Sequence, residues 1–335
     1  MKKYLLPHGT NAYKANLHAH TNISDGALTS EQVKDLYKSN GYSVVAYTDH
    51  DLLIPHDELT DKDFLALPGF EAQFNGSNMY PGKVNEKKCH ICFIGNTVQP
   101  CWKEEYAYIG NAKNYRSSVK FDEETSPFDR DYSPECINTM ISAARKKGFF
   151  ITYNHPVWSL EGYEQYIKYD GMHAIEIFNY GTEILGFQSL APHVYDDILR
   201  NGRKIFAVAA DDNHNKHGID DSFGGFVMIK AEKLEYKTIT DAIKRGDFYA
   251  STGPEIKSVW YDTETQTLHV DCSEAKKVIF STGIRRQGQV LGKPYTTQPE
   301  FKLNGNEIYV RVTVIDEEGR TADTNAYFLD ELNRI

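Results

Sequence analysis

Short β-branched and aromatic runs alternate with helical patterns over roughly the first 250 residues of the chain. Residues 15–18 read as a strand, and residues 30–39 carry apolar positions at helical spacing until Asn40 and Gly41 stop them. A buried strand over 42–48 comes next. Further strands are predicted over 64–71, 88–94, 149–153, 174–178 and 205–210, with helices over 134–147, 192–201 and 239–246. Such alternation implies parallel βα units wrapped into a barrel. From about residue 251 the pattern changes to short strands between turn residues, over 256–261, 267–271, 277–281, 307–314 and 325–328. That is the signature of a small β-sandwich. The chain is thus expected to divide into an α/β domain over 1–250 and an all-β, sandwich-like domain over 251–335.

Between about 97 and 132 the periodicity lapses into a polar insertion holding Trp102, Tyr106, Tyr108, Tyr115, Arg116 and Arg130. A stretch that long without a pattern reads as a lid over a site or as a loop. The 335 residues carry a formal net charge of −10, which disfavours a broad grip on a nucleic-acid polymer or an anionic membrane. A small ligand bound at one local site stays admissible. Five Cys are an odd, sparse set and argue for reduced thiols. No run approaches the ~18 apolar residues of a membrane span. The opening MKKYLLPHGT has too short an apolar stretch for a secretory signal, so the cytoplasm is the expected location.

Chemistry enters with the histidines. Twelve His predict about 0.4 HxH triplets by chance, so His18-Ala19-His20 means little until its position is considered. It falls where the first strand should end, on the barrel face where side chains from successive strands converge. Residues two apart on a strand point the same way, so both imidazoles can reach one ion. Other donors recur at similar places: Asp25 in the following loop, His50 after the second strand, Glu71 after the third. His90 lies within the fourth strand, His155 ends the fifth, and Asp212 and His214 follow the strand that begins near Ile205. Six His and three carboxylates are too many for one tetrahedral ion and enough for two or three. Mixed imidazole and carboxylate shells suit Zn²⁺, Mn²⁺ or Fe²⁺.

These residues, as NLHAHTNISDG, YTDHD, GFE, the strand His90, NHP and a closing DNH, resemble the PHP (polymerase and histidinol phosphatase) family of metal-dependent phosphoesterases. The resemblance spans residues 14 to about 250 in the family's order, and the tail is similar to the sandwich of some two-domain members. It implies a distorted (β/α)7 TIM-like barrel with a trinuclear site. One ion would take His18, His20, Glu71 and Asp212, a second would share Glu71 and add His90 and His155, and a third would take Asp25, His50 and His214. Glu71 bridges, because a carboxylate has two oxygens. The implied reaction is hydrolysis of a phosphoester by a metal-bridging hydroxide, formed near neutral pH because the ions lower the pKa of water from 15.7 toward about 7. Where the family has a Ser in its closing motif this chain has Asp211, expected to alter the substrate rim.

Other readings stand beside these. Asp49 or Asp51 orients the His50 ring or caps a helix. Cys89-His90-Ile91-Cys92 lacks a second CxxC and reads as buried thiols beside a strand His. His217 is a phosphate contact or general acid, completing a catalytic set with Glu71 and Asp212, or a solvated loop residue. Glu176 and Asn179 sit at another strand end near the site. Arg116, Arg130 and Lys216 could meet phosphate, and Trp102, Trp158 and the insertion tyrosines could stack on a base, or form surface and satellite clusters. The substrate is expected to be a small phosphorylated metabolite, a nucleotide or a short oligonucleotide. The rivals are an amidohydrolase-like enzyme acting on C–N or C–O bonds, and a non-catalytic scaffold.

Overall fold

In the computed structural model, which describes residues 1–78, 86–100, 109–124 and 129–332, the apolar runs become strands of two hydrogen-bonded sheets, one long and one of four strands. β1 (Lys2–Tyr4) and β2 (Asn11–Asn16) lead to α1 (Ser30–Ser39). The Thr29 hydroxyl accepts from the Gln32 amide while the Gln32 side chain accepts from Thr29 N–H, so both orphan donors are met at the start of α1. The helix buries Val33 and Tyr37, and it stops before Gly41, whose φ of 79° is the left-handed conformation that glycine adopts without a Cβ penalty.

β3 (Val44–Tyr47), β4 (Leu65–Asn78) and β5 (Glu86–Ile94) follow, then α2 (Ala112–Tyr115) and α3 (Pro134–Lys146). After them come β6 (Phe150–Tyr153), α4 (Tyr163–Tyr166), β7 (Ala174–Asn179), α5 (Tyr180–Ile184) and α6 (Pro192–Arg200). β8 (Phe206–Ala210), β9 (Phe226–Ala231), α7 (Tyr236–Arg245) and β10 (Phe248–Ser251) complete this part.

The pairs β2/β3, β3/β4, β6/β7 and β7/β8 are parallel, as alternation with helices predicts. β5 departs from that expectation, running antiparallel to both β4 and β6. Its connection from Asn78 to Glu86 is shorter than the dozen or so residues a parallel crossover needs, so the chain turns back as a hairpin. The consequence reaches the site. Glu71 lies opposite Cys92 and Gln73 opposite His90, so these four share one face of the sheet. The other face carries Phe70, Ala72, Phe74, Cys89, Ile91 and Phe93 into an apolar cluster with α3 and α6.

A second apolar cluster draws on every strand from β2 to β9, including Ala15, Val44, Leu65, Phe150, Val208 and Val227. Inner faces that meet in this way describe a curled sheet. Among the described residues no ladder joins β8 back to β9 or β2. The junction is confined to the rim, where Ala19 bridges Asn213, His20 N–H donates to Asn213 O at 3.1 Å and Asp212 N–H to His18 O at 3.0 Å.

The tail comprises β11 (Ile256–Asp262), β12 (Thr267–Cys272), β13 (Ala275–Thr282), β14 (Gly288–Thr296), β15 (Glu300–Lys302), β16 (Tyr309–Ile315), β17 (Thr321–Thr324), β18 (Tyr327–Phe328) and α8 (Leu329–Leu332). Its two antiparallel layers share one core, with Val259, Leu268 and Val270 from one and Val278, Phe280 and Val312 from the other. β1 pairs with β11 in the four-stranded layer, while β17 pairs with β10, which makes the other layer continuous with the main sheet. Among the described residues no helix is long and apolar enough to cross a membrane.

Candidate metal centre

His18 and His20 leave the end of β2 on either side of Ala19, whose N–H donates to Thr48 Oγ1 at 3.0 Å. The Asn16 amide clamps this exit, donating to His18 O at 2.9 Å and accepting from Asp211 N–H at 3.1 Å. Asp25 lies in a loop organised by Asp49. That buried carboxylate accepts from Thr21 N–H and Oγ1 (both 2.8 Å) and from Ser24 N–H and Oγ (3.1 and 2.6 Å). Asp49 therefore neither orients His50 nor caps a helix, as the sequence suggested; it shapes the loop that presents Asp25. Asp51 also turns elsewhere, pairing with Arg130 Nη1 at 2.5 Å while the same nitrogen donates to Gln73 O at 2.8 Å. Asp51, His155, Asp212, Asn215 and His217 all have positive φ, a backbone cost of order 1–3 kcal/mol each that clusters at functional sites.

All nine predicted donors converge. Glu71, fully buried, is the hub: His18 Nε2, His90 Nδ1 and His155 Nε2 stand 3.2, 3.2 and 3.3 Å from Oε1, and His50 Nδ1 and His20 Nε2 stand 3.0 and 3.5 Å from Oε2. Asn154 donates to Oε1 at 2.6 Å. Asp212 Oδ1 lies 2.9 Å from His20 Nε2 and 3.1 Å from His18 Nε2. Asp25 Oδ1 lies 3.4 Å from His214 Nε2 and 3.7 Å from His50 Nε2. The donor atoms fall into groups of near neighbours: His20, Asp25, His50 and His214; His18, His155 and Asp212; His50, Glu71 and His90. His50 thus belongs to two groups, and His20, from the first, brings its Nε2 within 2.9 Å of Asp212 in the second, a sharing that sequence order does not reveal.

Several of these buried atoms lack a hydrogen bond: His20 Nδ1, His50 Nδ1, both ring nitrogens of His90, Glu71 Oε2 and Asp212 Oδ1. Each such atom costs about 1–3 kcal/mol if nothing meets it. His18 Nε2 and His20 Nε2 also face one another at 3.0 Å. Lone pairs and carboxylates converging without donors are a fit for divalent cations, and the imidazole and carboxylate donor set suits Zn²⁺, Mn²⁺ or Fe²⁺.

Outer partners aim the rings. Glu176 Oε1 accepts from His18 Nδ1 at 2.8 Å, which leaves Nε2 as the inward nitrogen, and Oε2 accepts from His155 N–H and Asn179 Nδ2 at 2.8 and 2.9 Å. Charge is equally organised. Burial opposes ionisation of Glu71, yet the imidazoles of His18, His90 and His50 hold its carboxyl well below the usual range. Burial likewise opposes protonation of His214, but its bond to Asp25 and the field of Asp212 raise it to about 9. Burial pushes the Cys92 thiol up to about 11, so it is a neutral neighbour of His18 and Glu71. Cys89 faces the opposite side of β5, because residues three apart on a strand point apart. The pair cannot chelate one ion.

A cavity of about 500 Å³ opens above the cluster, with Lys88, Trp158, Lys216 and His217 in its wall. Lys216 Nζ sits 2.8 Å from Asp25 Oδ2. Lys88 is the cation that sequence reasoning missed; its only signal was its place two residues before His90, on the same strand face. Arg130 is turned to Asp51, and Arg116 stacks on Phe121 at 5.1 Å, so neither is in the described wall. Asp211 is not at the rim as expected. It is fully buried, accepting from Tyr37 Oη at 2.8 Å and from the Phe223 and Gly225 amides at 2.9 and 2.8 Å, and burial raises it to about 7. Cys101, Trp102, Tyr106 and Tyr108 lie outside the described residues.

No family model matches the chain, and no curated protein matches it. Solved structures similar to it include a two-domain protein containing a predicted PHP-like metal-dependent phosphoesterase from Bacteroides vulgatus, at 15% identity and a TM-score of 0.44 over 97% of this chain and 98% of that one. A candidate metal-dependent phosphoesterase from Bifidobacterium adolescentis is similar at 15% identity and a TM-score of 0.42, over 70% of this chain and 96% of that one. An amidohydrolase from Chromobacterium violaceum is similar at 15% identity and a TM-score of 0.38, over 60% of this chain and 87% of that one. The chemistry assigned to this chain rests on its own residues.

Proposed function

We propose that the chain is a metal-dependent phosphoesterase that hydrolyses a small phosphorylated substrate. The observation that carries this is the convergence of nine donors around the carboxylates of Glu71, Asp212 and Asp25, with buried lone pairs unmet, at the floor of a cavity walled by Lys88, Lys216 and His217. His18, His20, Asp25, His50, Glu71, His90, His155, Asp212 and His214 would hold two or three ions of Zn, Mn or Fe. Divalent cations there supply Lewis acidity, drawing charge from phosphoryl oxygens and making water more acidic.

In the hydrolysis a water oxygen bonds to phosphorus, the P–O bond to the alcohol breaks with its electron pair, and a proton reaches the departing oxygen. Lys216 and Lys88 are suited to hold the phosphoryl oxygens, and His217 to bind the same group or supply that proton. Glu176 keeps His18 in one tautomer throughout. The seven strands β2 to β8 are read as a distorted barrel that closes at the rim, residues 1–250 as the catalytic domain, 251–335 as a packed sandwich, and the cytoplasm as the place of action. The cavity suits a metabolite, a nucleotide or the end of a short oligonucleotide rather than a polymer. An amidohydrolase-like centre is normally bridged by a modified Lys, whereas Glu71 occupies the hub here.

Metal analysis and a phosphate-release screen test the reading. About two or more equivalents of transition metal are expected, with phosphate released from at least one ester when Mn²⁺, Zn²⁺ or Fe²⁺ is supplied. Release of nothing from any phosphoester, with amides or lactones turned over instead, would favour the rival.

A further inference from the structure

Apolar residues that no core absorbs gather at one place. Ile184, Leu185 and Ile219 are 40%, 60% and 40% exposed, and all three line the cavity above the donor cluster. They come from separate segments, the end of α5 with the residue after it and the loop beyond Asp212. Ile109 joins them from the insertion. Its position is set by Asn111 N–H donating to Ser24 O at 2.6 Å, and by Gly110, where any Cβ would fall 2.1 Å from that same oxygen. Trp158, in the loop after β6, supplies an aromatic wall, with its ring centroid 5.1 Å from His90 and 5.0 Å from His155.

Exposed apolar side chains are ordinary when scattered, but four segments turning them toward one chemically active floor mark a ligand surface. The cavity, at about 500 Å³, has room for far more than a phosphoryl group. Beyond Lys88, Lys216 and His217, which the phosphoryl group would occupy, Asp221 and Gln73 of the same wall are engaged within the protein. Both Asp221 oxygens accept backbone amides of His214 and Asn215, and Gln73 Nε2 donates to Asn75 Oδ1 at 2.7 Å. Hydroxyl-rich groups would therefore meet an apolar wall and committed partners.

We propose that the organic part of the substrate is a flat apolar group, an aromatic ring carried on the phosphoester, seated between Trp158 and the wall of Ile109, Ile184, Leu185 and Ile219. Lys88, with Nζ 5.6 Å from the Trp158 ring centroid, stands where the ring and the charged group of such an ester meet. This inference rests on the phosphoesterase reading and names its substrate class.

The test compares two esters of primary alcohols, so that the leaving groups are alike: 2-naphthylmethyl phosphate and glycerol 1-phosphate, with metal-loaded full-length protein. The expected kcat/KM ratio favours the aryl ester by about tenfold or more, the discrimination an apolar pocket can supply. Leu185→Glu should reduce that ratio by about tenfold. Leu291→Glu, equally exposed but on β14 and away from the cavity, should leave the ratio where it was. Equal kcat/KM for the two esters overturns this inference and leaves the phosphoesterase reading intact. So does an aryl preference that Leu185→Glu does not touch. Phosphate released from neither ester overturns the inference, and the phosphoesterase reading falls with it only if no other ester in the screen is hydrolysed.

Discussion

At the sandwich end of the long sheet, the buried guanidinium of Arg311 meets both carboxylate oxygens of Asp196 at 2.8 Å, and Tyr309 Oη donates to the same group at 3.0 Å. Deeper in the same sheet, on β4, Glu71 is just as buried, yet its Oε2 has no hydrogen bond among five imidazoles. Both regions are built from the same β-branched and aromatic strands. At the sandwich end Arg311, Asp196 and Tyr309 are paired by the chain itself, and the result is a joint between two parts of the protein. In the donor cluster the pairing is left incomplete, and left-handed backbone is concentrated at Asp51, His155 and Asp212. The comparison teaches that one region is finished by folding and the other by a ligand.

The strongest way to break this contrast is Glu71→Gln, which removes the hub charge. Metal content should collapse and phosphate release should fall more than about a hundredfold, read by elemental analysis and steady-state assay. A variant that kept full metal would show that Asp212 and Asp25 suffice, and that Glu71 is not the hub. The matching blow to the sandwich is Leu268→Ala. Lost burial should cost about 2–5 kcal/mol in denaturant unfolding, with metal per folded chain unchanged. A drop in metal stoichiometry would mean that the two regions are coupled more closely than their pairing implies.

A subtler probe is Glu176→Gln, which leaves every predicted donor in place but weakens the carboxylate that holds His18 Nδ1. Metal affinity should fall about 10- to 100-fold in a chelator competition. Retained affinity would make Glu176 a spectator. The smallest effect is expected from His217→Ala: full metal loading with phosphate release reduced about tenfold, in keeping with one lost contact or proton donor. Metal loss as large as in Glu71→Gln would move His217 from the wall of the cavity into the cluster.

Much of this was legible in one dimension. The helix over 30–39 was readable to the residue because its cap and its Asn-Gly stop are local signals, and the nine donors stood out because they recur where strands end. β9 was not read, although Phe226–Ala231 is apolar, because its partners β2 and β10 are antiparallel neighbours that no βα rhythm announces. Asp49 and Asp211 were misassigned for a related reason. Each sits beside a predicted ligand in sequence but bonds backbone and hydroxyl groups of distant segments, so adjacency misled.

What the amino-acid order determined by itself is the local periodicity, the alternation of elements, and which residue types reach strand ends, since these depend on spacings of a few residues. Only the tertiary structure decided that β5 runs backward and so turns His90 toward Glu71, that His50 faces two groups of donors, and that Ile109, Trp158 and Leu185 share a wall. The physical reason is that direction and partnership arise from contacts closed over long loops. Local spacing does not encode which of several compatible closures buries the most apolar surface and leaves the fewest polar groups unmet.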